Sequence, residues 1–314
     1  MSAPAQTIHS RLLVDDDDFW RVQRLLVESY PITPLGFNWD VRRWQGKRFY
    51  NENEDAWRAY LNSRIRLWET GDGRVVGAVN PDGDGEAHLQ LHPDYRFLEE
   101  EMITWAEHHL TAPAPDGEQR QLEFFVYDYD TARQKLLLDR GYTQMPFGGV
   151  IRRMSLSGRL PVQPVLADGY TLRTTCPDDL QDCQRVADLL NRAFNRTFHN
   201  ALEYQMFTRH APCFQPEMDL VSIAPDGSFA AYVGVPYDEA NRHGIFEPVC
   251  THPEHRQRGL AQALMHEGLL RLQARGAIDV IVDTGDMIPA NRLYDSLGFD
   301  ETCKGHVWQK VLRA

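Results

Sequence analysis

The stretch His255-Arg256-Gln257-Arg258-Gly259-Leu260-Ala261, running on into Gln262-Ala263-Leu264-Met265, decides the reading of this chain. Gly259 permits close backbone approach in a turn, and Ala261 keeps a second position small. The apolar residues that follow, Ala263, Leu264, Leu269, Leu270 and Leu272, predict a helix of several turns, stopped by Arg275-Gly276. The first turn of such a helix leaves backbone N–H groups unpaired at the positive end of its dipole. Two arginines add charge that a phosphate pairs with. The combination points to an anion cradle of the kind a pyrophosphate needs.

The flanking sequence extends the pattern on both sides. Upstream, the run Gly244-Ile-Phe-Glu-Pro-Val-Cys-Thr251 has the β-branched and aromatic residues of a strand, broken by His252-Pro253. Downstream, Ala277–Thr284 reads as a short buried strand. Pro289-Ala-Asn-Arg-Leu-Tyr-Asp-Ser-Leu-Gly-Phe299 then reads as a helix started by proline and closed by glycine. Strand, Arg-x-x-Gly-x-Ala turn, helix, strand, and Ala290-Asn-Arg-Leu-Tyr-Asp-Ser-Leu-Gly-Phe299, in that order, resemble the GCN5-related N-acetyltransferase (GNAT) superfamily over most of residues 169–314.

Composition bounds the alternatives. The chain has 314 residues, enough for two domains with sizeable cores. Its formal charge of −12 disfavours nucleic acid and acidic membranes and suits a cationic partner such as an amine; solubility alone also accounts for it. No segment is long and apolar enough to span a bilayer, and residues 1–7 lack the basic and apolar regions of a signal peptide. The five cysteines (Cys176, Cys183, Cys213, Cys250 and Cys303) show no metal-ligand spacing, and their odd number argues against a complete disulfide framework. The expectation is a cytoplasmic protein without a metal.

The first half repeats the element order of the second. His92-Pro-Asp-Tyr-Arg96 matches His252-Pro-Glu-His-Arg256 at a constant offset of 160 residues, and Asp139-Arg-Gly-Tyr142 echoes Ser296-Leu-Gly-Phe299. The expected fold class is α/β (α+β). It comprises two GNAT-like domains, each a mixed, mostly antiparallel central sheet flanked by helices. Residues 1–156 form a degenerate copy, 157–168 a Gly- and Pro-containing linker, and 169–314 the cofactor-binding copy. The copies differ where the anion would sit: the offset places Glu99, Glu100 and Glu101 at Gly259, Leu260 and Ala261, where carboxylates stabilise a helix start but repel a pyrophosphate. Counted back from Gly141, the counterpart of Gly298, Leu137 falls at the position of Tyr294.

The resemblance implies an acetyl-CoA-dependent N-acetyltransferase, a monomer or homodimer, that transfers acetyl directly to a primary amine of a small molecule or an amino terminus and releases CoA. By the same resemblance, the pantetheine arm pairs with Val249-Cys250-Thr251 and the pyrophosphate lies on Arg256, Gln257, Arg258, Gly259, Leu260 and Ala261. Tyr294 is the implied general acid, although a tyrosine at helical spacing also reads as a packed core residue. Glu247, a carboxylate inside an apolar strand, reads as a general base acting through water or as a structural hydrogen-bond partner. His243 and Tyr232 are lower-ranked substitutes for it. Cys250 reads as a small strand residue, because no His/Asp pair that would make it a nucleophile is identifiable. Many family members carry an asparagine seven residues before the tyrosine; here that position is Met287, and Asn291 is the candidate replacement. Two other readings stand beside this one: a non-catalytic acyl-CoA sensor, and a transferase of a longer acyl group.

Overall fold

The computed structural model describes residues 7–312 apart from 52, 115, 116, 118 and 286. The opening residues read above for a leader therefore lie outside the described residues, except Thr7, and so does Asp286 in the segment between Thr284 and Ala290. The chain divides into two units. The first comprises Met1–Asp40, Asn53–Val150 and Cys303–Ala314, and the second Val41–Glu52 and Ile151–Thr302.

The first half of the chain runs β1 (Ile8–Leu12), α1 (Asp16–Ser29), α2 (Val41–Phe49), α3 (Glu54–Arg64), β2 (Arg66–Thr70), β3 (Val75–Asn80) and β4 (Glu86–Leu91). It continues with α4 (Glu99–His109), β5 (Ala112–Pro113), β6 (Arg120–Tyr127), α5 (Thr131–Asp139) and β7 (Thr143–Ser155). The second half runs β8 (Thr171–Thr174), α6 (Leu180–Phe194), α7 (Ala201–His210), β9 (Asp219–Ile223), β10 (Phe229–Gly234), β11 (Tyr237–Asp238) and β12 (His243–Ile245). It ends with β13 (Val249–Thr251), α8 (Leu260–Ala274), β14 (Asp279–Gly285), α9 (Ile288–Leu297) and β15 (Glu301–Leu312).

In the first unit the strand order is β1-β2-β3-β4-β6-β15, antiparallel except for the parallel pair β4–β6. Its last strand comes from the end of the chain: β15 pairs with β6 from Gly305 opposite Tyr127 to Leu312 opposite Arg120. Trp308 explains the placement, because it is buried in the core formed by Leu122, Phe124 and Tyr142. Burying so large a side chain contributes on the order of 3 kcal/mol. Gly148 lies so close to the Gly305 carbonyl that any side chain there would collide with it.

The second unit holds β12 between β11 and β14, parallel to β14, and a separate antiparallel sheet ordered β13-β10-β9-β8. Its core is built from Leu260, Leu264 and Leu272 of α8 against Ala231 and Val233 of β10 and Val280 and Val282 of β14. The fold is thus mixed α/β with mostly antiparallel sheets flanked by helices.

The repeat survives in three local devices. In each half of the chain an arginine of the first strand grips an aspartate in the first turn of the helix that follows it. Arg11 reaches both oxygens of Asp18 (2.5 and 2.6 Å), and Arg173 both oxygens of Asp182 (2.6 and 2.8 Å). Each aspartate also accepts a backbone N–H, from Val14 and Cys176. Second, the ring nitrogens of His92 and His252 accept from the amides of Asp94 and Glu254, both at 3.3 Å, so each His-Pro pair opens a short turn. Third, the helices α5 and α9 end on left-handed glycines, Gly141 and Gly298. Each is closed by an amide reaching back five residues, Tyr142 to Leu137 and Phe299 to Tyr294. That last bond places Leu137 and Tyr294 at equivalent positions.

Candidate cofactor and catalytic site

The apolar run 244–251 predicts one strand, and the structure breaks it in two. Through Ile245, opposite Ile281, and the Phe246 amide on the Ile281 carbonyl, the chain follows β14. It then crosses to β10, where Val249, Cys250 and Thr251 oppose Val233, Tyr232 and Ala231. Glu247 and Pro248 bridge the step by exchanging backbone bonds with Gly234. The two strands part because each is held by a different sheet. β13 is left as an edge strand, and an edge strand offers its ladder to an extended amide-bearing arm.

The N-terminus of α8 faces that edge across a cavity of about 580 Å³. Gly259 caps the helix in the left-handed region (φ 71°), and Gln257 shares that region (φ 61°). A side chain at Gly259 would meet no neighbour, so its backbone angle, not space, calls for glycine. No side chain caps the helix start, so its first backbone N–H groups have no intrahelical or side-chain partner. Val249, Cys250, Thr251 and all six residues Arg256–Ala261 line the cavity, as does Tyr294.

Electrostatics separate the candidate chemistries. Burial, chiefly, and the nearby carboxylates of Asp283 and Glu247 push the Tyr294 phenol above its usual value, so it is protonated at neutral pH. Burial pushes the Cys250 thiol up to about 12, which leaves it protonated and unsuited to nucleophilic attack. The Arg256 side chain is engaged with backbone, donating to the Ala193 carbonyl (3.0 Å), so this arginine braces the turn. Arg258 lies over the Tyr170 ring at 5.9 Å.

Two expected site residues do not line the cavity. Asn291 donates to the Met287 carbonyl (3.0 Å) and accepts from Arg152 (3.1 Å), tying down the start of α9. Glu247 pairs with Arg42, Nη1 to Oε1 at 2.6 Å. Of its ranked substitutes, His243 is buried against Asp279 (2.5 Å), and Tyr232 is buried and donates to Asp219 (2.6 Å). Neither lines the cavity. Residues on the cavity wall that are not among the expected site residues include Phe194, Met287 and Arg292, and Arg42 stands beside Glu247.

Residues 183–299 match the model of the acetyltransferase (GNAT) family. This segment is a GNAT domain. No curated protein matches the chain's sequence at a significant level. Among solved structures, a GCN5-related N-acetyltransferase from Sphaerobacter thermophilus is similar over 98% of this chain and 96% of its own, at 20% identity and a TM-score of 0.65. A tandem GNAT protein from the clavulanic acid biosynthesis pathway is similar over 97% of this chain and 98% of its own, at 19% identity and a TM-score of 0.65. A GNAT-family acetyltransferase from Colwellia psychrerythraea is similar over 98% and 99%, at 12% identity and a TM-score of 0.56. At these identities the likeness is one of fold, and it extends the GNAT fold to both halves of the chain.

The corresponding helix start in the first unit is built differently from the GNAT cradle. Glu99, the first residue of α4, is buried and accepts from Arg96 (2.7 Å) and Arg133 (3.2 Å). Arg96 also donates to Asp130 (2.6 Å), and both arginines lie over the Phe37 ring, at 5.3 and 5.2 Å. Glu101 accepts from the Trp68 indole (2.9 Å). A closed ion cluster stands at this helix start, where the second unit has backbone amides facing a cavity.

Proposed function

We propose that the chain is an acetyl-CoA-dependent N-acetyltransferase with one cofactor site, in the second unit, acting on a primary amine of a small molecule or an amino terminus. The observation that carries this reading is the convergence of three elements on one cavity: the edge of β13, the uncapped start of α8, and the protonated phenol of Tyr294. The donor set fits the cofactor, because an extended amide arm suits a strand edge and a pyrophosphate suits a cluster of helix-start amides.

Acetyl-CoA, when bound, supplies a thioester as the acyl donor. The residues of this chain then have three tasks. Val249–Thr251 would hold the pantetheine arm and Arg256–Ala261 the pyrophosphate, and so fix the thioester beside Tyr294. The Tyr294 hydroxyl gives its proton to the departing sulfur. The Glu247 carboxylate takes the amine's proton through a water, which a cavity that does not itself include Glu247 requires. Cys250 stays a thiol, so transfer is direct and no acyl-enzyme forms.

The first unit, with its ion cluster at Glu99 and Leu137 at the tyrosine position, supports the fold and binds no cofactor. The five free cysteines suit a reducing compartment such as the cytoplasm. Among the described residues no helix is long and apolar enough to cross a membrane. The test is thiol release from acetyl-CoA across a panel of primary amines, with Tyr294→Phe in parallel. Amine-dependent release that the variant loses is the expected result. Tight cofactor binding without release for any amine would instead support the acyl-CoA sensor.

A further inference from the structure

Arg42 is the feature of the second unit that the sequence motifs leave out. It stands on α2, a helix encoded in the first half of the chain but belonging to the second unit. Its Nη1 donates to Glu247 Oε1 at 2.6 Å. Its guanidinium lies 5.5 Å from the Tyr50 ring centre and 5.8 Å from that of Phe207, and those two rings stack at 4.2 Å. One turn along α2, Gln45 accepts from the Cys213 amide (2.9 Å) and fixes the helix to its surroundings.

Burial is unequal across the pair: the Arg42 side chain is 14% exposed and that of Glu247 37%. The cation is thus held by aromatic packing, while the carboxylate it grips reaches solvent. A half-exposed glutamate alone samples several rotamers, and a planar guanidinium on one oxygen selects among them. We propose that Arg42 is a positioning residue for Glu247, holding its carboxylate charged and in the orientation that receives the acceptor's proton. This rests on the acyl-transfer reading above.

Among the described residues, the groups that interact with Glu247 include Arg42 and Tyr50 from the 41–52 segment and Tyr294 from α9. Asp219 on β9 acts on Tyr50, and Asp283 on β14 and Arg152 on β7 act on Tyr294. Both tyrosines have phenols raised above their usual value by burial and so carry no charge at neutral pH, whereas Arg42 places a cation in contact with the carboxylate. An adjacent cation favours the ionised form of a carboxyl group.

The experiment uses the full chain with 13C-labelled glutamate carboxyl groups, the Glu247 signal being assigned by E247Q. In R42Q the titration midpoint of Glu247 is expected to rise by about one pH unit or more, and in R42K by less. With the panel amine that gives the fastest thiol release, the acid limb of kcat/KM should move up with it. The alkaline plateau should stay about tenfold low, from lost orientation, with KM for acetyl-CoA unchanged. Acetyl-CoA binding reports whether each variant is folded. If R42Q does not fold, R42K decides: a charged but non-planar donor should keep the acid limb near the wild-type pH and lower the plateau several-fold. A folded variant with wild-type midpoint, limb and plateau overturns the proposal while the wild type still turns over. A wild type that releases no thiol removes the acyl-transfer reading itself, and the proposal with it.

Discussion

Gly259 and Tyr294 line one cavity from two different helices, Gly259 as the left-handed cap of α8 and Tyr294 from the second turn of α9. The glycine exposes amides and the tyrosine presents a buried, protonated hydroxyl. In the proposed mechanism, anion binding and proton donation thereby fall to different residues of one cavity, and each can be removed without the other.

Tyr294→Phe removes the hydroxyl and keeps the ring, which packs edge-on against Phe299 at 5.8 Å. A positioned general acid contributes about 10²-fold or more. The variant should lose about that factor in kcat, with its dissociation constant for acetyl-CoA unchanged by titration calorimetry. An unchanged kcat would leave Tyr294 as core packing.

Gly259→Val places a β-branched residue at φ 71°. The left-handed region costs such a residue on the order of 1–2 kcal/mol, and relaxation to negative φ reorients the amides at the start of α8. Affinity for acetyl-CoA should fall at least about tenfold. Leu137→Tyr, at the equivalent of Tyr294 in the first unit, should not restore a second site, because the ion cluster at Glu99 remains.

Glu99→Ala leaves Arg96 and the buried Arg133 to share Asp130 alone, at 2.6 and 3.6 Å. Removing one member of a buried ion cluster costs about 3 kcal/mol. Denaturant unfolding should show a loss of that order, with acetyl-CoA binding by the folded protein unaffected. A large loss of cofactor affinity would mean that the first unit takes part in binding.

The strand-to-helix grip of Asp182 predicts a pH dependence. Burial raises its pKa, but the two bonds from Arg173 and the Cys176 amide outweigh that and hold the carboxyl below its ordinary range. The unfolded chain therefore binds the proton more readily, and the contribution is present above the ordinary carboxylate range and lost as pH falls through the folded value. Asp18, gripped by Arg11, behaves in the same direction. Asp182→Asn should lower Tm by about 3 °C or more at pH 7, and the gap to wild type should close as the pH falls below about 4. A gap that is constant with pH would assign the effect to packing instead.

Much of this was legible in the sequence because the features concerned are local. The α8 cradle, the Gly298 stop of α9 and the His-Pro turns each depend on residues within a few positions, and the echo of the His-Pro turn 160 residues earlier and of the glycine stop at Gly141 exposes the repeat. Three features were not local. The break between β12 and β13 arises because β14 holds one part of the run and β10 the other, and no residue in Gly244–Thr251 announces which sheet claims it. The place of β15 in the first unit rests on Trp308 finding Phe124, far away in sequence. Arg42 meets Glu247 across about two hundred residues, and α2 has too weak an apolar periodicity to mark the face it buries. Asn291, near the tyrosine in sequence, is turned to Arg152 and the Met287 carbonyl, away from the cavity.

The most direct measurement is calorimetric titration of the full chain with acetyl-CoA, in wild type and Gly259→Val. One cofactor per chain, with affinity falling at least about tenfold in the variant, is the predicted result. Two cofactors per chain, or one bound equally well by the variant, would contradict a single site at the start of α8.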